Sequence, residues 1–117
     1  MHKFKELGIW QKSRLFCSKI YNETASFPSD EKFGLIHQLR RASVSIPSNI
    51  AEGSSRNSNK EFARFLEIAI GSAYEVETQL LISEDLGFIT LEKAKELSDL
   101  LEEIIKMTSK FRSTLKI

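Results

Sequence analysis

Apolar side chains return every three or four residues in four separate stretches of this chain, and that period leaves helices as the regular structure able to bury them on one side. The first stretch carries Ile9, Trp10, Phe16, Cys17, Ile20, Tyr21 and Thr24, and predicts a helix from about Leu7 to Ser26, since Pro28 makes Phe27 a poor helical residue. The second carries Ile36, Leu39, Ser43, Ile46 and Ile50. It should begin after Ser29 as N-cap, with Asp30 and Glu31 where carboxylates suit the helix dipole, and run to about Glu52 before Gly53. Pro47 lies inside that pattern. It removes one backbone donor and strips the Ser43 carbonyl of its usual partner, so the helix is expected to kink at Pro47 rather than stop.

The third helix is announced by Ser58 and Glu61, a capping box in which Ser58 accepts from the Glu61 amide and Glu61 reaches back. Its apolar positions are Phe62, Phe65, Leu66, Ala69, Ala73, Val76, Leu80 and Ser83, with Gly87 as a left-handed stop. Thr90 then caps a fourth helix, in which Ala94, Leu97, Leu101, Ile104, Thr108, Phe111 and Leu115 keep strict 3-4 spacing. Short connections force neighbours antiparallel. The expected fold is therefore all-α, an antiparallel up-down-up-down four-helix bundle over residues 1–117 as one domain, its second helix kinked at Pro47.

A chain of 117 residues buries enough surface to fold without disulfides or a structural metal. Its single cysteine, Cys17, has no partner within the chain and reads as a small core residue of a protein kept in a reducing compartment. The N-terminal stretch lacks a leader-like apolar core, and no window approaches the roughly 18 apolar residues of a membrane span. The expected location is cytoplasmic, with no membrane association.

Apolar residues are left over outside the four seams. Leu35, Val44, Ile70, Leu81, Ile82, Leu100, Ile105 and Met107 widen the apolar arcs beyond what one bundle needs. They read either as edge positions of a wide core or as a self-association interface.

Charge is unevenly spread. Residues 1–64 carry 11 Lys and Arg against 6 Asp and Glu, whereas 65–117 carry 6 against 10. The two halves could attract each other, or the basic half could face nucleic acid. The nucleic-acid candidates are Arg40, Arg41, Arg56, Lys60 and Arg64, taken to converge around the second half of helix two, the following loop and the start of helix three. Arginine forks suit phosphate oxygens. The competing account pairs Arg40 or Arg41 with Glu52, Glu61 or an acid of helix three.

Enzymatic signatures are missing. A di-iron bundle needs Glu-x-x-His pairs, but the histidines are His2 and His37, and Gly34 stands three before His37. Glu75 and Glu77 are two apart and point to different faces. The loop GSSRNS has neither the spaced glycines nor the Lys-Ser/Thr of a nucleotide-binding loop. No catalytic residue, metal site or cofactor is expected, and Asn49 reads as a donor to carbonyls loosened by Pro47.

The middle of the chain adds a family resemblance. Phe27-Pro28, Glu31, Phe33-Gly34-Leu35, Gln38-Leu39-Arg40-Arg41-Ala42, Ser45-Ile46-Pro47, Asn49-Ile50-Ala51-Glu52-Gly53, Arg56, Glu61-Phe62, Phe65-Leu66, Ile68-Ala69, Gly71-Ser72 and Glu77-Thr78 resemble the small four-helix bundle proteins encoded within intervening sequences of bacterial 23S ribosomal RNA genes. That family, often given a ribosomal-protein-like name, is similar to the accessory variability protein of diversity-generating retroelements. The resemblance implies a ring-like homopentamer with a proposed role in binding nucleic acid, and it does not imply a ribosome component. The expected function is thus a noncatalytic homo-oligomer that binds RNA or DNA, the alternative being a protein-interaction adaptor or scaffold.

Overall fold

Local capping signals decide where the helices begin and end, and the computed structural model, which describes residues 2–117, shows which of them are used. Four helices form: α1 (Gly8–Thr24), α2 (Leu35–Ser54), α3 (Asn59–Asp85) and α4 (Leu91–Ser113), with short 3-10 turns at Phe4–Glu6 and Ser29–Glu31. At the start of α3 the Ser58 hydroxyl accepts from the Glu61 amide at 3.1 Å. The return half of the expected capping box is not made. The Glu61 carboxylate instead lies 3.5 Å from the Ser58 hydroxyl itself.

Gly87, at φ +76°, stops α3 in a Schellman turn, with its amide on the Glu84 carbonyl at 3.0 Å and the Phe88 amide on Ser83 at 2.9 Å. Thr90 caps α4 by accepting from the Lys93 amide at 3.1 Å.

Helix α2 departs from expectation at both ends. Ser29 opens only a 3-10 turn and caps nothing with its side chain. The helix proper waits until Leu35, whose amide is held at 3.0 Å by the Glu31 carboxylate reaching forward past Gly34. At the far end Gly53 is no stop, for α2 continues through it to Ser54. Gly53 is buried, and a Cβ there would stand 2.7 Å from Phe65 Cβ and 2.8 Å from Phe62 Cδ1. It is a contact point between α2 and α3, where only a missing side chain lets the two helices approach.

Pro47 does not end the helix. The carbonyl it deprives of a partner, on Ser43, is taken by the Cys17 thiol of α1 at 2.9 Å, so the backbone defect becomes a contact between helices. Asn49 Nδ2 donates to the Ser45 carbonyl at 2.8 Å. Cys17 is half-buried rather than a full core residue, and burial pushes its thiol from 9.0 up to about 11, against a smaller downward pull from the Ser43 side chain.

Two consequences follow for pH and reactivity. The thiol stays neutral in the folded chain, so this group costs nothing below pH 9 and lowers stability only as pH rises from there through about 11. At pH 8 a disulfide reagent such as DTNB should react about 100-fold more slowly with the folded chain than with the chain in denaturant. Equal rates would show an accessible, ordinary thiol.

Contacts between neighbours fix the topology. Cys17 meets Ser43, the Ser45 and Ser72 hydroxyls lie 2.8 Å apart, Arg112 pairs with Glu67, and Lys12 bridges Glu103 at 2.9 Å. Each helix thus packs antiparallel on the next and α4 closes against α1, giving the expected up-down bundle, 44 Å long. Phe16, Ile20, Leu39, Ile46, Ile50, Leu66, Leu80, Leu101 and Ile104 are fully buried along its axis. Each such side chain stabilises the fold by roughly 1.5–3 kcal/mol. Phe27 and Ile89, outside the helices, close one end, and the rings of His2, Phe62 and Phe111 meet at the other with centroids 5.1 to 5.7 Å apart.

Candidate nucleic-acid interface

The five basic residues that are close in sequence separate into two groups in space. Arg40 and Arg41 lie in the first half of α2, not the second, and Arg56 follows its last turn. That is about 15 residues later, or roughly 22 Å along a helix rising 1.5 Å per residue. Arg40 is held against the end of α1: Nε donates to Thr24 Oγ1 at 2.9 Å, Nη2 donates to the Tyr21 carbonyl at 3.2 Å, and the guanidinium lies 4.5 Å from the Tyr21 ring centroid. Arg41 pairs with Glu75 of α3 at 2.6 Å. The first group is therefore occupied within its own chain.

Arg56, Lys60 and Arg64 stay together around the α2–α3 connection. Arg56 pairs with Glu52 at 2.7 Å and lies 4.8 Å above the Phe65 ring, which fixes the direction of its fork. Lys60 and Arg64 are one turn apart on the exposed side of α3, and neither makes an ion pair among the described residues. Both line a groove of about 400 Å³ together with Glu61, Glu67, Arg112 and Ile117.

Antiparallel packing brings further cations to the same end. Lys110 and Arg112 sit in the last turn of α4, and Lys116 follows, its carbonyl accepting from Asn59 Nδ2 at 3.1 Å. Lys3 precedes the N-terminal 3-10 turn and Lys5 lies within it, at that end as well. The opposite end gathers Glu23, Asp30, Glu31, Glu84, Asp85 and Glu92. The two ends of the bundle thus differ in charge, although Lys32, Lys93 and Lys95 lie near the acidic one, and a polyanion would be drawn to the basic end. Two interhelix pairs, Lys12–Glu103 and Arg41–Glu75, also join the basic half of the chain to its acidic half.

The sequence profile of the 23S rRNA-intervening sequence protein family matches residues 5–110. The chain belongs to that family. A crystal structure of a protein of unknown function from the S23 ribosomal protein family of Bacteroides thetaiotaomicron VPI-5482 superposes with a TM-score of 0.81 at 27% identity, covering 91% of this chain and 99% of the other. Among curated proteins, none matches significantly.

The surplus apolar residues of this family member also divide. Leu100, Ile105 and Met107 pack against the core as edge positions, and Leu35 and Ile70 are half-buried. Val44, Leu81 and Ile82 stay open to solvent. Sequence reasoning missed Phe33, Ile68 and Tyr74, which are also exposed, Phe33 at 85%. It missed the α4 cations too, since these join Lys60 and Arg64 only through the topology. Drawing the expected bundle with its ends labelled would have found them. Among the described residues no group of three or more His, Cys, Asp and Glu is placed to hold a metal ion, and no helix is long and apolar enough to cross a membrane.

Proposed function

We propose that this member of the 23S rRNA-intervening sequence protein family is a noncatalytic, homo-oligomeric subunit that binds RNA or DNA through the basic end of its bundle. The observation that carries the reading is the unpaired state of Lys60 and Arg64 beside the oriented fork of Arg56. Cations already satisfied by carboxylates gain little from a phosphate, whereas unpaired ones release counterions when they meet it. Exposed Asn57 adds a neutral donor in the same loop, whereas the Ser55 hydroxyl is spent on the Glu52 carbonyl at 2.7 Å. On the family resemblance the oligomer is a pentamer, in which five weak sites would act as one strong one.

Binding of dye-labelled single-stranded RNA and duplex DNA at about 50 mM salt tests this. Affinity should be measurable there and fall steeply as salt rises. No binding at low salt would remove the nucleic-acid reading. The adaptor reading would then lead.

A further inference from the structure

Helix α3 carries an outward ridge that its own bundle leaves about half exposed. Ile68, Tyr74, Leu81 and Ile82 are each between 43% and 54% exposed. In their midst stands Gly71, where an added Cβ would meet no atom within 4 Å. Glycine weakens a helix interior, and here neither a turn nor a close neighbour in the monomer calls for it. A helix face that sets four apolar side chains among Glu67, Glu75 and Thr78 and is notched at its middle by Gly71 suits the close approach of another molecule.

A second open surface has the opposite electrostatic character. Between the end of α1 and the first half of α2 lies a groove of about 530 Å³ floored by Tyr21, Phe33, Ile36 and Val44 and edged by Lys32 and Arg40. Neither of those cations is paired with a carboxylate, and neither are Glu77, Glu84 and Asp85 beside the α3 ridge, among the described residues. A partly apolar ridge edged by acids without ion-pair partners thus has a counterpart in an apolar groove edged by Lys32, which is free, and by Arg40, whose charge no carboxylate neutralises although Thr24 and Tyr21 hold its fork.

We infer that the α3 ridge of one copy seats in the α1–α2 groove of the next. The contact is heterologous, joining two different faces, and so generates a closed ring or an open filament. Pairing α3 with itself fits less well. Antiparallel about Gly71, it would set Tyr74 opposite Ile68 but leave the other two apolar residues, Leu81 and Ile82, opposite the charged Glu61 and Lys60, and parallel it would bring acid against acid. The inference rests on the self-association in the proposed function and adds which faces meet.

Two variants and one mixture test it. Gly71→Trp should leave the bundle folded, with unchanged helical circular dichroism, and convert the sedimenting oligomer to monomer. After subunit exchange, an equimolar mixture of V44C and L81C treated with a short bismaleimide should yield covalent dimers holding one chain of each kind, while either variant alone, and the wild type with its half-buried Cys17, yields none. An L81C chain that cross-links to itself would overturn the face pairing in favour of α3 self-contact. So would a Gly71→Trp protein that stays oligomeric, or a wild-type oligomer whose mixed variants give no cross-link. A wild-type monomer at micromolar concentration would instead overturn self-association itself.

Discussion

Gly53→Ala should destabilise the bundle by a net of roughly 1–2 kcal/mol, although alanine is the better helix former. The Cβ it adds would lie 2.7 Å from Phe65 Cβ and 2.8 Å from Phe62 Cδ1. The Phe62 ring could turn, but a Cβ moves only with its backbone, so α2 and α3, the most extensively packed pair of helices in the fold, must separate there. Overpacking of this kind costs about 1–3 kcal/mol, and up to about 1 kcal/mol of helix propensity offsets part of it. Thermal unfolding followed by circular dichroism should show a midpoint lower by roughly 5–10 °C. A raised midpoint would mean that Gly53 is dispensable and that the helices tolerate a wider spacing.

That glycine also marks where sequence reading reaches its limit. The caps at Ser58 and Thr90 and the stop at Gly87 were legible because each acts within about five residues of itself. Gly53 carries the same letter as Gly87 and lies just where a stop was expected, but its role is set by Phe62 and Phe65 on another helix. Pro47 lies between these cases. The orphaned Ser43 carbonyl followed from chemistry alone, whereas its partner, the Cys17 thiol, is 26 residues away and emerges only from packing.

The candidate site divides in the same way. Arg56, Lys60 and Arg64 span two helical turns and a short loop, so proximity in sequence served as proximity in space. Arg40 and Arg41 were grouped with them by the same logic, and the rigid length of α2 carries them away. Lys110 and Arg112 join the cluster because up-down topology returns α4 to that end, which no local signal announces. Leu100, Ile105 and Met107 look like surplus on a helical wheel, and the breadth of contact among four helices absorbs them.

Replacing Arg56, Lys60 and Arg64 together with alanine should weaken nucleic-acid binding by on the order of 10–10²-fold per engaged subunit near 0.1 M salt. Each lost phosphate contact removes about 0.9 from the logarithmic salt slope on duplex DNA and about 0.7 on a single strand, so loss of the two unpaired cations, Lys60 and Arg64, should flatten the slope by roughly 1.4 to 1.8. Stability should hardly change. The one ion pair lost is that of Arg56 with Glu52, which is solvent-exposed, and such pairs contribute about 0–1 kcal/mol. The paired change Arg40→Ala and Arg41→Ala should behave in the opposite sense. It removes the contacts of Arg40 to Thr24 and Tyr21 and of Arg41 to Glu75, so it should lower the unfolding midpoint while leaving the salt slope as it was.

The position of the interface on the bundle can be read directly by photo-cross-linking RNA that carries 4-thiouridine to the wild-type protein at low salt, followed by mass spectrometry of the adducts. Adducts should fall on peptides from the α2–α3 connection, residues 54–65, and from the end of α4, residues 110–116. Adducts confined to residues 21–44 at the opposite end, or none at all, would contradict binding through the basic end.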